Sequence, residues 1–173
     1  MLSVHGHTLR KASERKEKMY RAMIILTASM FLAPSHALAD QKSCLAEAMY
    51  YEARDQGWRG MLAVGVVIQN RVRDDRYPDT VCGVVKQGRY RNGNPVRNKC
   101  QFSYYCDGKP ERPAEKAPWS VARDVANLLL TSDVQVPGIE DATHYHATWV
   151  KPSWADKLER LNQIGGHVFY VQK

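Results

Sequence analysis

Glu52 is the first residue whose type and spacing suggest chemistry. It recurs with Leu45 and Met49 at i, i+4 and i+7 of a helical pattern, so its carboxyl faces the core or a cleft in it. A carboxyl withdrawn from water is harder to ionise, and its pKa rises. That is the condition for a general acid working near neutral pH. The competing reading is a Glu at the edge of an apolar stripe, paired with Arg54 or another surface base. Glu47, two residues after Leu45, belongs to a solvated face. Asp55 and Asp107 are further carboxylates that could approach Glu52. Taken alone, Asp55 reads as a helix-end residue and Asp107-Gly108 as a turn.

His144-Tyr145-His146, with His167 further on, forms a second constellation. In a strand, residues i and i+2 share a face, so His144 and His146 could hold zinc together. The motif is short and its spacing to His167 is unconstrained. Histidines that hydrogen-bond in a polar cleft are the preferred reading, and no metal or other cofactor is assigned. Residues 40–173 also hold four Trp, eight Tyr and two Phe, clustered around Tyr50-Tyr51, Tyr104-Tyr105, Trp149 and Trp154. Such rings suit sugar stacking, and equally a small core in which large side chains supply the bulk.

The elements that must position these residues begin after a leader. Residues 1–39 read as a secretory signal: a basic stretch ending in Lys18 and Arg21, an apolar run from Ala22 to Leu32, Pro34, and the small-residue site Ala37-Leu38-Ala39. Cleavage is expected before Asp40, and Met19 is a second plausible start. The run falls short of the roughly 20 apolar residues that span a bilayer, so no stable membrane insertion is expected after processing. The chain has 173 residues and a formal charge of +7. Six Lys/Arg against two Glu put +4 of that in residues 1–39, leaving +3 for the rest. A domain at +3 with no basic run argues against a nucleic-acid partner. Mean hydropathy of −0.49 excludes a polytopic membrane protein. All four cysteines lie beyond the leader, and an even count in an exported chain implies two disulfides in the periplasm or outside the cell. Of the three connectivities, Cys82–Cys100 with Cys44–Cys106 is preferred, because the first pair would close the asparagine-rich loop. No CxxC pair is present to favour a zinc site.

Along the chain, helices are expected over Ser43 to Arg54 and Met61 to Arg73, with Gly57 to Gly60 as the break between them. Asp79 is expected to cap a short helix through Val85. Residues 89–100 read as a loop. A helix over Trp119 to Leu130 should turn Val121, Val125, Leu128 and Leu129 inward. Ala142 to Val150 and His167 to Val171 should pair as strands, with a short helix, Ser153 to Leu161, between them and Gly165-Gly166 as a turn. The sum is a helix-dominated α+β domain with a small β-sheet.

Taken in order, these segments resemble the SleB-type cell-wall hydrolases, the family of the spore cortex-lytic enzymes. The resemblance runs through Cys44-Leu45-Ala46-Glu47-Ala48-Met49-Tyr50-Tyr51-Glu52-Ala53-Arg54, AVGVVIQNRV over residues 63–72, and YPDTVCGVV over residues 77–85. It continues through Cys100-Gln101-Phe102-Ser103 with Cys106-Asp107-Gly108, Ala142-Thr143-His144-Tyr145-His146-Ala147, Pro152-Ser153-Trp154-Ala155 and Gly166-His167-Val168-Phe169-Tyr170. It covers roughly residues 44–170. The cysteine pattern departs from that of the spore enzymes and suggests a Gram-negative branch. No peptidoglycan-binding repeat accompanies these motifs, so binding is expected from the catalytic domain.

What the resemblance implies is a lysozyme-like fold of the lytic-transglycosylase kind that acts on peptidoglycan glycan strands. The family's catalytic acid falls on Glu52. Gln101, Ser103 and Tyr145 fall where the fold lines its substrate cleft, and His144 and His146 flank Tyr145. Cleavage of the MurNAc-β-1,4-GlcNAc bond by transglycosylation needs one carboxyl group. Hydrolysis of the same bond by a muramidase, a zinc-dependent amidase and a non-catalytic glycan-binding module are the alternatives. Partner proteins are not indicated.

Overall fold

The structure is a computed structural model that describes residues 34–173; the basic stretch and apolar run of the expected leader lie outside the described residues. The chain divides into two units, residues 1–38 and 39–173, and the account below concerns the second and the helix that enters it. Helix α1 spans Pro34–Ala53 and runs through the expected processing point before Asp40. It buries Leu45, Ala46, Ala48, Met49 and Ala53 completely. A 3-10 turn, Arg54–Gln56, ends it. Helix α2, Gly57–Arg73, begins four residues earlier than expected. The reversal sits in the 3-10 turn, and Gly57, at φ +64°, absorbs it in a conformation that costs glycine little. Residues 58–60 are therefore free to be helical.

Helix α2 is the core of the unit, with Met61, Ala63, Val64, Val67 and Ile68 at most 1% exposed. A Cβ on Gly65 would collide with Met49 of α1 and with Leu129 of helix α4, Lys116–Thr131, so this glycine sets how closely the three helices approach. Pro118 falls in the first turn of α4, where its missing N–H costs nothing. The inward stripe of α4 is Ala122, Val125, Ala126 and Leu129, with Val121 partly buried. Leu128, expected inside, sits one position off that stripe and is 45% exposed.

Between α2 and α4 the chain departs from expectation three times. Short helix α3, Val81–Val85, is capped by Thr80, whose Oγ1 accepts from Gly83 N at 3.1 Å; Asp79 is one residue too early. The expected loop over residues 89–100 is a β-hairpin of β1, Gly88–Arg91, and β2, Asn94–Cys100. Its turn places Asn92 at φ 53° and Gly93 at φ 79°, the positive pair of a tight hairpin turn. Both faces of the hairpin are largely exposed, so apolar alternation is absent and only the Asn-Gly pair marks it. The hairpin also overturns the preferred disulfides. Cys100, at the end of β2, bonds Cys106 across the 3-10 turn Ser103–Cys106, and Cys82 of α3 bonds Cys44 of α1. The ladder already closes residues 88–100, leaving Cys82 to face α1.

The last third is a three-stranded antiparallel sheet of order β3-β5-β4, built from β3, His144–Ala147, β4, Glu159–Ile164, and β5, His167–Val171. β3 and β5 pair as expected, with His144 opposite Tyr170 and Tyr145 opposite Phe169, although β3 is shorter than residues 142–150. The helix expected over Ser153 to Leu161 is a 3-10 turn, Ala155–Lys157, leading into β4. β4 is mostly exposed, and its strand character comes from pairing with β5 rather than from its own composition. Phe169 packs into the helical core, whereas Val168 and Tyr170 pack with Ala155, Trp154 and Leu158 on the other face.

The two disulfides differ in the loop they close, with sequence separations of 38 and 6. In the chain-entropy picture, replacing Cys44 and Cys82 by Ala costs about 4 kcal/mol, against about 2 kcal/mol for Cys100 and Cys106. Denaturant unfolding of the two double variants checks the order; a larger loss at Cys100–Cys106 contradicts it.

Candidate active site

Glu52 is the penultimate residue of α1, at the point where the helix ends against the sheet. Tyr145 of β3 donates its hydroxyl to Glu52 Oε2 at 3.1 Å. Burial pushes the Glu52 carboxyl above the ordinary carboxylate range; the Tyr145 hydrogen bond and the Arg71 charge oppose this without cancelling it. The Tyr145 ring stays partly accessible, but its hydroxyl is desolvated and lies beside Glu52, which holds it protonated and a donor.

Strand β3 is held in place by the polar end of α2. Asn70 Nδ2 donates to Glu140 O at 2.8 Å and Ala142 O at 2.9 Å, and Arg71 Nε donates to Thr143 O at 2.7 Å. The Arg71 guanidinium also lies over the rings of Tyr77 and Phe102. On the other side, Gln56 Oε1 accepts from Gly166 N at 2.6 Å and ties the β4–β5 turn to the end of α1. Gly165 takes φ +56°, and a Cβ on Gly165 or Gly166 would push the Gln56 amide out of its present place.

Two clefts share Glu52, Ala147 and His167 in their walls. One, about 320 Å³, is lined by Arg71, Gln101, Phe102, His144, Tyr145, His146, Pro152 and Trp154. The other, about 550 Å³, is lined by Ser103, Tyr51, Tyr104, Trp149 and a rim of charged side chains. All the residues expected at the site are thus brought to one groove: Gln101, Tyr145, His144 and His146 in the smaller arm, Ser103 in the larger, and Glu52 at the junction. The ring nitrogens of His144 and His146 are largely committed, whereas His167 Nδ1 is buried without a partner among the described residues. His144 Nδ1 pairs with Thr143 Oγ1 at 3.0 Å, while His146 Nδ1 and Nε2 pair with Ala147 O and Tyr170 OH at 2.9 Å each. Both rings pack on Trp154. Burial and the charges of Arg71 and Arg76 lower the His144 pKa to about 4, so it is neutral near pH 7.

Asp55 and Asp107 both line the larger arm with Glu52. Asp55 accepts from Gln56 Nε2 at 3.2 Å within the 3-10 turn, and Asp107 Oδ1 accepts from Lys109 N at 2.7 Å in a turn of its own. The site also holds residues that sequence reasoning missed. Arg71 holds the chain entering β3 and Gln56 the β4–β5 turn, and Glu111 and Arg112 line the larger arm. An Asn-Arg pair inside the most apolar helix was the available signal for Arg71.

Because the folded carboxyl of Glu52 binds its proton more tightly than an unfolded one, near 4.3, stability falls as pH rises through the window above that value. Glu52→Gln removes the titration. Its melting temperature therefore exceeds that of the parent protein at pH 8, and the gap closes at pH 4. Calorimetric melts at the two pH values check this; a gap independent of pH contradicts it.

A family model described as Cell Wall Hydrolase matches residues 55–170, beginning three residues after Glu52. A spore cortex-lytic enzyme of Oceanobacillus iheyensis is 44% identical over 127 residues, covering 72% of this chain and 39% of that protein. One of Halalkalibacterium halodurans is 26% identical over 129 residues, covering 72% and 33%. The chain thus spans about a third to two fifths of the length of these curated relatives. Among solved structures, the catalytic domain of the germination-specific lytic transglycosylase SleB from Bacillus anthracis has a TM-score of 0.56 at 24% identity, covering 80% of this chain and 98% of that one. The catalytic domain of the Bacillus cereus SleB protein has a TM-score of 0.53 at 24% identity, covering 76% and 90%. The shared fold is the lysozyme-like α+β arrangement of those catalytic domains. With the family match extending over most of its length, the chain belongs to the cell wall hydrolase family.

Proposed function

We propose that this chain cleaves the MurNAc-β-1,4-GlcNAc bond of peptidoglycan glycan strands as a lytic transglycosylase, with Glu52 as its single acid and base. The observation that carries the reading is a desolvated carboxyl at the junction of two cleft arms, held by a tyrosine hydroxyl. Membership of the cell wall hydrolase family and likeness to spore cortex-lytic enzymes support it. Protonated Glu52 gives its proton to the departing GlcNAc oxygen as the glycosidic bond breaks. The acetamido carbonyl oxygen of the muramic residue bonds to the anomeric carbon and carries the developing charge. Glu52, now a carboxylate, takes the proton from the 6-hydroxyl; that oxygen bonds to the anomeric carbon and expels the acetamido oxygen. The product is a 1,6-anhydro ring, and no water is consumed. Gln101, His144 and His146 supply the wall for one sugar and Ser103 the edge for the next, while Tyr145 steadies the carboxylate between its two tasks. The leader and the cysteine pairs support action in the periplasm or outside the cell.

Hydrolysis of the same bond is the second reading, favoured by Asp55 and Asp107 in the arm that Glu52 closes. Mass spectrometry of fragments released from purified sacculi separates the two. Ends in 1,6-anhydro-muramic acid are expected. Reducing muramic ends would replace transglycosylation by hydrolysis, and freed stem peptides would move the chemistry off Glu52. Glu52→Gln is expected to lose at least ~100-fold in rate, the worth of a general acid; near-native activity overturns the proposal.

Tyr145→Phe removes a hydrogen bond that favours the ionised carboxylate. The Glu52 pKa then rises further, and the alkaline limb of the pH–rate profile moves to higher pH. A limb that stays or moves down contradicts the assigned role.

A further inference from the structure

The two arms of the groove differ in charge. In the smaller arm the only formal charge besides Glu52 is Arg71, which is 6% exposed and spends its Nε on Thr143 O. The rest of that wall is aromatic, amide and imidazole, with His144 neutral, and it suits an uncharged sugar. The larger arm is walled by Arg54, Asp55, Asp107, Lys109, Glu111 and Arg112. Four of these are occupied. Arg54 pairs with Glu115 at 2.9 Å, Lys109 with Asp107 at 3.9 Å, and Asp55 with the Gln56 amide at 3.2 Å. Glu111 and Arg112 are exposed, adjacent and of opposite sign, and neither has a side-chain partner among the described residues. Both residues line this arm together with Tyr51 and Tyr104.

On a peptidoglycan strand, the backbone sugars supply at most one sign of charge. A strand stripped of peptide exposes only the lactyl carboxylate of its muramic residues. The stem peptide is the part that offers both a carboxylate and, on its diamino acid, an ammonium group. Resting on the glycan-cleaving reading above, we propose that the larger arm is a stem-peptide subsite. Arg112 takes a peptide carboxylate and Glu111 takes the ammonium group, so peptide-bearing strands are the preferred substrate. Trp149, 75% exposed on the same wall, gives the aliphatic part of the peptide a face to lie on.

The test compares purified sacculi with glycan strands whose stem peptides have been removed by an amidase. Initial rates of new chain-end formation are measured for the protein and for Glu111→Gln/Arg112→Gln. Two solvated ion pairs at ~0.2–1 kcal/mol each convert to a preference of several-fold. The parent protein is expected to favour peptide-bearing strands about fivefold or more, less in high salt. The double variant is expected to bring the ratio below about twofold. Binding to the Glu52→Gln protein of a soluble disaccharide–tetrapeptide against the bare disaccharide should show the same order without turnover. Equal cleavage of both substrates by the parent overturns this inference and leaves the glycan-cleaving reading standing. An undiminished ratio in the double variant also overturns it. Cleavage of neither substrate overturns both.

Discussion

The hydrogen bond from Tyr145 to Glu52 is the contact on which the site depends, because it is made between the two halves of the molecule. Glu52 comes from the end of the first helix and Tyr145 from the first strand of the sheet, 93 residues later. A carboxyl withdrawn from water there is costly if ionised. Tyr145 and the Arg71 charge partly offset the cost, and the remainder holds the carboxyl above the ordinary carboxylate range. The helix ladder, the Arg71 and Asn70 clamps on the chain entering β3, and the Gln56 tie on the β4–β5 turn are all ways of holding those two groups together.

The same geometry accounts for His144 and His146. Their side chains look metal-like in sequence, yet hydrogen bonds and the face of Trp154 use them as wall material. A partly aromatic arm with the buried Arg71 in its wall on one side of Glu52 and an arm rimmed by six charged side chains on the other give the groove a direction, which a symmetrical sugar-binding slot would lack.

The parts of this arrangement legible in the sequence were those with strong local signals. Leu45, Met49 and Glu52 share a stripe whatever the tertiary structure, so the inward aim of Glu52 followed from periodicity alone, and most of α2 was legible from the apolar residues between Met61 and Ile68. The hairpin was not, because its residues face solvent on both sides and leave no pattern beyond Asn92-Gly93. β4 was not, because Glu159 to Ile164 is a strand only through β5. The disulfides followed from neither spacing nor composition: Cys100, at the end of the hairpin, bonds Cys106 six residues on, and Cys82 bonds Cys44. Arg71 and Glu111 escaped notice for opposite reasons. One is hidden in an apolar helix, and the other lies in a loop whose place beside the groove is set by the whole fold.

The central claim is that burial keeps the Glu52 carboxyl protonated beyond the ordinary carboxylate range. Carbon-13 NMR titration of the side-chain carboxyls in glutamate-labelled protein tests it directly, with the Glu52 resonance assigned by its loss in Glu52→Gln. The account predicts a midpoint clearly above the ~4.3 of an unperturbed glutamate. A midpoint at or below that value would contradict it.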